Sequence, residues 1–440
     1  MARSRPSGAS ERPPAIARRS VSPQQRRPSG SRSLLLECFR EALCAVDGRR
    51  CVRRQLDREA LDGRWHVVAI GKAAGAMAAG AADVLGERVA GALLVTVPGA
   101  VSMIDVLQNA RVRVIESAHP RPDARSLMAG LAVVEFVQGL RRNARILWLI
   151  SGGASSLVEV PSPGITLEEL QRVNSWLLGS GLGIASINAV RRRLSRLKGG
   201  GLAALAAPRP GLALMISDVP GDDPAVIGSG LLHRSPRENR MPNALPVEVA
   251  DVLARCPVSQ DRAPPPRVAS RIVAANRHAR VAARHRARSC GRLAVRSGRG
   301  EFSGNAADLG RTFARRIAAA APGTFWIWGG ESSVILPPNP GRGGRNQQLA
   351  LAAALAMAGE TGLTLLAAGT DGIDGSSDDA GAIVDDSTCA RGAAAGLDGP
   401  AHLLRADSGT YLEECGDLLH TGPTDTNVGD LVLGLRDTTR

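Results

Sequence analysis

The sequence predicts an α/β protein of two domains, each with a mostly parallel sheet covered by helices on both faces. Apolar runs typical of buried strands alternate with helical patterns along most of the chain, as they do in parallel sheets. The length of 440 residues is enough for two domains of ordinary size. Small and polar residues follow several of the predicted strands, at the edge where ligands of open α/β sheets bind.

The positive charge of the chain is concentrated at its N-terminus. Residues 1–32 contain eight arginines and one acid, Glu11, and so supply seven of the formal net charge of +14. The segment is rich in Pro, Ser, Arg and Gln, and it is predicted to be a disordered basic tail that contributes nothing to the fold. The remainder has no nucleic-acid-binding motif, so we expect no specific nucleic-acid partner.

Composition gives two further expectations. No uncharged apolar stretch of about 18 residues occurs, and no membrane span is therefore predicted. The seven cysteines are odd in number and scattered without a C-x-x-C motif, which favours a reduced chain in the cytoplasm.

The first predicted domain covers residues 33–254. Apolar residues at helical spacing predict a helix over residues 34–56. Residues 65–70 are a predicted strand, followed by a turn at Gly71-Lys72 and an alanine-rich helix that ends at Leu85. Further strands are predicted at the start of the segments GALLVTV, VRVIESAHPRPD, RILWLISGGASSL and GLALMISDVPG.

Prolines mark the predicted boundary between the domains. Cys256-Pro257 and three consecutive prolines at 264–266 predict a linker over residues 255–268. The second predicted domain, residues 269–440, again alternates between strands and helices. It includes a predicted strand hairpin around residues 329–333, a Gly/Arg loop leading into a helix, and a strand and loop in LTLLAAGTDGIDG.

The residues that follow the predicted strands form a set that is typical of phosphoryl transfer. The set comprises Lys72, the loop 151–156, Asp218, Asp371, and the loop that carries Arg342, Arg345 and Asn346. A Gly/Ser loop that opens a helix offers N–H groups to phosphate oxygens, and carboxylates can hold Mg²⁺. Lysine and arginine neutralise charge on the transferred group. Lys72 and Lys198 are the only lysines of this arginine-rich chain, which hints at a need for a compact ammonium.

Each signal alone has a simpler interpretation. Ser151-Gly152-Gly153 is also typical of a tight turn, and Asp-Gly is a turn signal. GKAAGAM lacks the Walker A pattern, and no loop matches the dinucleotide-binding fingerprint. Only the joint occurrence of these residues at strand ends favours a phosphoryl-transfer site.

Taken together, the motifs resemble those of the class II glycerate kinases, which carry a MOFRL-type C-terminal domain. The resemblance rests on GKAAGAM, HPRPD, LISGGASSL, ISDVPGDDPAVIGSG, GGESSV, GRGGRNQQLALA, AAGTDGIDG and TGPTDTNVGDL, in that order along the chain. It implies ATP-dependent phosphorylation of D-glycerate to 2-phosphoglycerate with Mg²⁺, in an active site between two α/β domains. Members of this family have often been labelled hydroxypyruvate reductases.

The resemblance also implies roles for individual residues. The implied catalytic residues are Lys72, Arg345, Asp218 and Asp371; the implied substrate- or phosphate-binding residues are Ser151, Gly152, Gly153, Ser155, Lys198 and Asn346. Asp218 and Asp371 are expected to be metal ligands or the base, with the two roles left open. Lys198 could equally be a helix-end lysine beside a glycine cap, and His119 is expected to be structural.

Several alternatives stay open at this point. They are an NAD(P)-dependent hydroxypyruvate reductase, a kinase of another small hydroxy acid, and a binding protein without activity. The expected partners are D-glycerate and ATP, and a homodimer is one assembly that the chain could form. The sequence departs from the family pattern at Leu231, Ala406 and Asp425, and any of these that lines the cleft would bear on ligand fit.

Overall fold

The computed structural model describes residues 30–99, 111–234, 241–242, 244–256, 268–291 and 293–438. The predicted tail, apart from residues 30–32, and residues 257–267 of the predicted linker lie outside this part of the chain. No helix of the described residues is long and apolar enough to cross a membrane.

The first sheet has six strands, and every pair of neighbours is parallel. Its strands are β1 Trp65–Ile70, β2 Val89–Thr96, β3 Val112–Glu116, β4 Arg145–Ile150, β5 Gly211–Ile216 and β6 Ala269–Ala274. Their order across the sheet is β3-β2-β1-β4-β5-β6. The parallel sheet predicted for the first domain is confirmed, and the order of its strands reverses between β1 and β4.

The second sheet is mixed, so the prediction of a mostly parallel sheet is wrong there. Its strands are β7 Ala294–Ser297, β8 Phe302–Asn305, β9 Thr324–Ser333, β10 Leu363–Gly369, β11 Gly381–Asp385, β12 Leu418–Leu419 and β13 Asp430–Arg436. The strands β9 and β10 both run antiparallel to β13, which lies between them, and only β7 and β8 pair in parallel with β9. Strand and helix alternation predicted the common direction of β9 and β10, but it could not predict that a strand from the chain's end separates them.

Fifteen helices of the described residues cover the sheets. They are α1 Gly30–Val46, α2 Gly48–Leu56, α3 Ala74–Leu85, α4 Ala124–Gly139, α5 Ala154–Leu157, α6 Leu167–Gly179, α7 Ile184–Leu194, α8 Gly201–Ala206, α9 Val247–Ala254, α10 Asn276–Ser289, α11 Ala306–Ala318, α12 Arg345–Met357, α13 Thr388–Ala394, α14 Gly399–Leu404 and α15 Ser408–Glu414. Short 3₁₀ turns occur at Gly86–Arg88, Pro220–Asp222 and Ile227–Ser229. Polar side chains cap the N-termini of several helices. Asp123 and Thr166, for example, form capping boxes at α4 and α6.

One apolar core joins the two sheets. Leu35 and Phe39 of α1 and Ala279 of α10 belong to the same buried cluster as Leu149 of the first sheet and Leu433 of the second. A second cluster, with α4 and α8, covers the other face of the first sheet, and a third, with α11 and α12, covers the other face of the second. Both sheets therefore have helices on two faces, and the two domains share the layer between them.

Two elements pack with the other domain than the one to which the sequence assigns them. Strand β6, in residues assigned to the second domain, is hydrogen-bonded to β5 and completes the first sheet. Helix α1, assigned to the first domain, packs against α10 and against β10 and β13 of the second sheet. The predicted hairpin around residues 329–333 is also absent, because these residues end the single strand β9.

The first turn of α1 is tied to the second domain. Ser31 Oγ donates a hydrogen bond to Asp437 Oδ1 at 2.6 Å, and Arg32 pairs with Asp385 and with Asp417, at 2.7 Å to Asp417 Oδ1. Asp417 is buried, and Arg32 and Arg391 together neutralise a charge that water cannot reach. The prediction that residues 1–32 contribute nothing to the fold is therefore wrong for the last of them.

Replacing Arg32 by Ala should lower the free energy of unfolding by about 1–3 kcal/mol, because it removes a charged partner from the buried Asp417. Thermal denaturation followed by circular dichroism checks this. Arg40→Ala is the matched control, since Arg40 is an exposed arginine of the same helix. Equal melting temperatures for the two variants would contradict the prediction.

Candidate active site

A cavity of about 830 Å³ lies between the two sheets. Lys72 and His119 line it from the first sheet, and Arg345 and Asp371 line it from the second. Lys72 follows β1 and Asp371 follows β10, so the cavity opens at the carboxyl ends of these strands, where ligands of α/β sheets bind.

The turn that carries Lys72 is held by the loop after β4. The backbone N–H of Ala73 donates to Ser151 Oγ at 3.1 Å, and that of Lys72 donates to the Gly152 carbonyl at 2.9 Å. A Cβ on Gly71 would lie 2.1 Å from Ser151 Oγ, so this position has room only for glycine. Ser151 is fully buried, and its hydroxyl orients the Lys72 turn rather than facing the cavity.

Lys72 and Asp371 form an ion pair across the cleft. Their Nζ and Oδ2 atoms are 2.8 Å apart, and the side chains are 22% and 15% exposed. The two residues are 299 positions apart in the sequence, so only the packing of the two sheets brings them together. Partial exposure leaves the ammonium accessible to a ligand.

Two glycines after β4 allow side chains of the cleft to come close to the backbone. A Cβ on Gly152 would lie 2.3 Å from Asp218 Oδ2 and 2.6 Å from Asn427 Nδ2. Gly153 has a φ of +85°, and a Cβ there would lie 3.0 Å from the His119 ring. Neither glycine lines the cavity, so their contact with a ligand stays a prediction; Gly152 adjoins Asp218, and Gly153 adjoins His119 and Lys72, which do line it.

Asp218, the carboxylate beside Gly152, does not line the cavity of about 830 Å³; it lines a small neighbouring pocket together with Glu331. Burial and the nearby charge of Glu331 raise the pKa of Asp218 to about 6, against the opposing effect of Lys72. Its Oδ2 accepts a hydrogen bond from Asn427 Nδ2 at 3.3 Å. Asp218 therefore changes its charge much closer to neutral pH than an ordinary aspartate.

Arg345 begins α12 and is fixed by two carboxylates. Its Nε and Nη2 donate to Asp430 at 2.8 and 3.1 Å, and its Nη1 donates to Glu331 at 2.5 Å. Burial disfavours the charge of Arg345, but the carboxylates of Asp430 and Glu331 outweigh it and raise the pKa of the guanidinium. The guanidinium is thus permanently charged and oriented where it lines the cavity.

Asn346 lies behind the cavity wall. Its backbone N–H and side-chain amide donate to Asp374 Oδ1 at 3.0 and 3.3 Å, and it is almost fully buried. Asp374 also accepts from the Gln347 N–H at 2.8 Å and so caps the start of α12. Burial raises the pKa of Asp374 to about 7, although these hydrogen bonds favour its charged form. The structure gives Asn346 a part in positioning Arg345, and it does not bring its side chain to the cavity.

Two other predicted residues lie away from the cavity. Lys198 forms a buried ion pair with Glu159, and burial lowers its pKa despite this partner. Ser155 Oγ lies 2.7 Å from Ser229 Oγ, which in turn donates to Asn188 Oδ1. Neither Lys198 nor Ser155 lines the cavity.

Four residues of the site were not among the predicted ones. Glu331 and Asp430 hold Arg345, Asn427 holds Asp218, and His119 lines the cavity although it was expected to be structural. Burial and the charge of Lys72 lower the pKa of His119 to about 4, so its ring is neutral near pH 7. Their motifs, GGESSV, NVGD and HPRPD, belong to those that carry the family resemblance. None of the four residues directly follows a predicted strand, so position alone does not mark them.

The three residues that depart from the family pattern lie in different parts of the structure. Leu231 is buried in the core of the first sheet and has no contact with the cavity. Ala406 and Asp425 line the cavity, both with positive φ, of 50° and 55°. Glycine adopts this backbone conformation without strain, whereas alanine and aspartate adopt it less often.

Comparisons with known proteins show which family the chain belongs to. Two family models match the chain: a domain of unknown function, DUF4147, over residues 34–259, and the MOFRL family over residues 324–430. The D-glycerate 2-kinase of Thermotoga maritima is 36% identical over 428 residues, which are 93% of this chain and 99% of that protein. The chain belongs to the glycerate 2-kinase family. The resemblance drawn from the motifs is confirmed.

Members of this family carry two kinds of name. The crystal structure of glycerate kinase from Thermotoga maritima is 34% identical, with a TM-score of 0.77 over 93% of this chain and 100% of that one. A protein of Agrobacterium vitis called a putative hydroxypyruvate reductase is 38% identical over 387 residues, 84% of this chain and 98% of that protein. The family thus includes proteins with both names.

The two lysines should behave differently when their charge is removed. Lys198→Met leaves Glu159 buried without its cation, and we expect a loss of about 3–5 kcal/mol in the free energy of unfolding. Lys72→Met, the matched control, should cost less than about 1 kcal/mol, because that pair is partly exposed. Denaturant unfolding measures both. Equal losses would mean that Lys198 is not the structural member of the two.

Proposed function

We propose that the protein transfers the γ-phosphoryl group of ATP to the 2-hydroxyl of D-glycerate, giving 2-phosphoglycerate and ADP. The observation that carries this proposal is the Lys72–Asp371 pair at 2.8 Å, beside Arg345 on the wall of a cleft of about 830 Å³. Its support from relatives is the extensive match to the D-glycerate 2-kinase of Thermotoga maritima.

The transfer requires three changes at the reacting atoms. The 2-hydroxyl oxygen of glycerate forms a bond to the γ-phosphorus, the bond from that phosphorus to the bridging oxygen breaks, and ADP leaves with the electron pair. The hydroxyl proton passes to a carboxylate, for which Asp218 is suited by its pKa of about 6. Little covalent chemistry is left to the protein, whose task is to position the groups and stabilise charge.

Lys72 and Arg345 are the cations that we assign to the transferred group. Arg345 uses three of the five N–H donors of its guanidinium on Asp430 and Glu331, and this leaves two for a phosphate or a carboxylate. Lys72 supplies a compact ammonium at the end of β1. Both charges are in place before the ligand arrives, as electrostatic stabilisation of a transition state requires.

Mg²⁺ fits the residues of the cleft. Of the two predicted metal ligands, Asp371 lines the cavity, and Asp218 does not line it but is close enough to Asp371 and Lys72 to interact with both electrostatically. No cluster of three or more metal-binding side chains occurs among the described residues, but Mg²⁺ bound with a nucleotide needs only one or two carboxylates. The ion would neutralise charge on the phosphate oxygens. Asp218 must be ionised whether it acts as ligand or as base.

The reductase alternative has one structural argument in its favour and two against it. The strand order β3-β2-β1-β4-β5-β6 is one that dinucleotide-binding proteins use. However, the loop after β1 reads GKAAGAM and lacks the G-x-G-x-x-G pattern. The segment after β2 reads Val97-Pro98-Gly99, without an acid for a ribose hydroxyl. We therefore favour the kinase; the homodimer and the cytoplasmic location stay predictions.

One comparison of activities tests the proposal. ADP release is measured by a coupled assay with ATP, Mg²⁺ and D-glycerate, and NADH oxidation is measured with hydroxypyruvate. The proposal expects the first activity and not the second. NADH oxidation without ADP release would establish the reductase instead, and ADP release with a different hydroxy acid alone would change the substrate.

Lys72→Ala should lower kcat by about 10² or more, the scale of losing one preorganised electrostatic contact. Lys72→Arg should recover little of the loss, because a guanidinium is wider than an ammonium and held in a plane. Turnover with D-glycerate and the melting temperature measure the two effects, and stability should hardly change. A near-normal kcat for Lys72→Arg would refute the argument from shape.

The pH dependence of kcat/KM for D-glycerate should reflect Asp218. A carboxylate with a raised pKa is charged only above that value, so activity should fall as the pH drops through about 6, where an ordinary aspartate would stay charged. Asp218→Asn should have low activity without this acid limb. His119 cannot produce the limb, since its pKa lies near 4. A limb that persists in the variant belongs to another group, such as the nucleotide or Asp374 with its pKa of about 7, and removes Asp218 from this role.

A further inference from the structure

We propose that an apolar wall of the cleft, formed by Val334, Leu336, Pro340 and Ile373, binds the nucleobase of ATP. The wall lines the same cavity as Lys72 and Arg345. This inference rests on the proposed function, because it assigns the part of the cavity that the phosphates and D-glycerate would leave open.

Two residues of the wall present their side chains to the cavity rather than to the core, whereas Val334 also packs against the core of the second sheet. Leu336 is 65% exposed and Ile373 is 47% exposed, and both line the cavity. Large apolar side chains that stay exposed together, rimmed by polar residues, mark sites of interaction. A single exposed leucine needs no explanation, but this pair shares one cavity with two further apolar residues.

The wall continues the charged end of the cavity. Ile373 follows Asp371 by two positions, and its N–H lies 3.3 Å from Asp371 Oδ1. Val334 and Leu336 follow Glu331 by three and five positions, which an extended chain spans in roughly 10 to 16 Å at about 3.3 Å per residue. A ligand that fills both ends must carry anionic groups on one side and an apolar part on the other.

A nucleotide has this distribution of chemistry, and D-glycerate does not. D-Glycerate is a small polar acid, and nothing in it gains from an apolar surface. A purine ring has two flat apolar faces, which pack well against aliphatic side chains. Val97, Pro98 and Pro120 line the cavity from the first sheet, so the cleft offers apolar atoms from both of its sides.

A buried polar side chain lines the same cavity as the wall. Gln348 lines the cavity and is 7% exposed; its Nε2 donates to the Leu403 carbonyl at 2.7 Å, which fixes the orientation of the amide. Its Oε1 has no hydrogen-bond partner within the described part of the protein. A buried acceptor without a partner is costly, but this atom has almost no accessible surface, so a bound base would reach it only if the amide turned.

The test separates the base from the phosphates by using two probes. Binding of ADP and of inorganic pyrophosphate, each with Mg²⁺, is measured by calorimetry on the wild-type chain and on Leu336→Asn/Ile373→Asn. The uncharged substitutions leave the electrostatics of the phosphate end unchanged. ADP should bind at least about tenfold more weakly to the double variant, and pyrophosphate should bind as to wild type. The matched control is Leu404→Asn, at a leucine that is 80% exposed on α14 and does not line the cavity.

Each other outcome overturns the inference. Unchanged ADP binding would place the base elsewhere, and equal losses for both probes would mean that the variant damages the phosphate end or the fold. Failure of the proposed function is distinguishable, since it appears as absent D-glycerate phosphorylation by the wild-type chain, whatever the double variant does to ADP binding.

Discussion

The apolar core shared by the two sheets is the constraint on which the site depends. Helices α1 and α10 pack in the layer between the sheets, and residues of both sheets belong to one buried cluster. Burial of apolar surface is the main stabilising contribution, whereas a partly exposed ion pair contributes little. The Lys72–Asp371 pair is therefore a consequence of the packing and not its cause. The core holds the carboxyl ends of β1 and β10 close together, so that Lys72 and Asp371, from distant parts of the chain, can meet.

Small residues after β4 allow the groups of the site to lie close together. Ser151 has no space to face a ligand, and its hydroxyl instead fixes the Lys72 turn. Gly152 lets the carboxylate of Asp218 lie against the backbone, where a Cβ would leave only 2.3 Å. The residues of this loop are thus small because the segments that follow β1, β4 and β5 meet there. Any contact with an anion would be made by the remaining backbone surface near Gly153, beside His119 and Lys72.

The sequence predicted those features that depend on local pattern. The strand at residues 65–70 has the predicted bounds, and Lys72, Asp218 and Asp371 lie where their positions after strands placed them. The insertion of β13 between β9 and β10, and the packing of α1 on the second sheet, depend on contacts between distant parts of the chain, which no local pattern specifies.

The same limit explains the site residues that the sequence misassigned. Lys198 stands out in the sequence as one of only two lysines. Its partner Glu159 lies 39 positions away, and no motif in the sequence links the two. Asn346 stood beside Arg345 in a recognised motif, yet its amide turns to Asp374, 28 positions further on. Residue type and position after a strand predict which groups reach a cleft, but the groups that hold them in place are chosen by the tertiary fold.

The balance of charge in the cleft bears on the form in which a nucleotide would bind. Among the residues that line the cavity, two cations, Lys72 and Arg345, face three acids, Asp371, Asp374 and Asp425. Three further acids, Asp218, Glu331 and Asp430, interact with these cations from outside the lining. Burial, together with neighbouring carboxylates, raises the pKa of Asp218, Asp374 and Asp430, so part of this excess can be removed by protonation. A free polyanion would still compete with these carboxylates for both cations. A nucleotide that brings a divalent cation supplies the missing positive charge, and the excess of acids then becomes a source of affinity rather than repulsion.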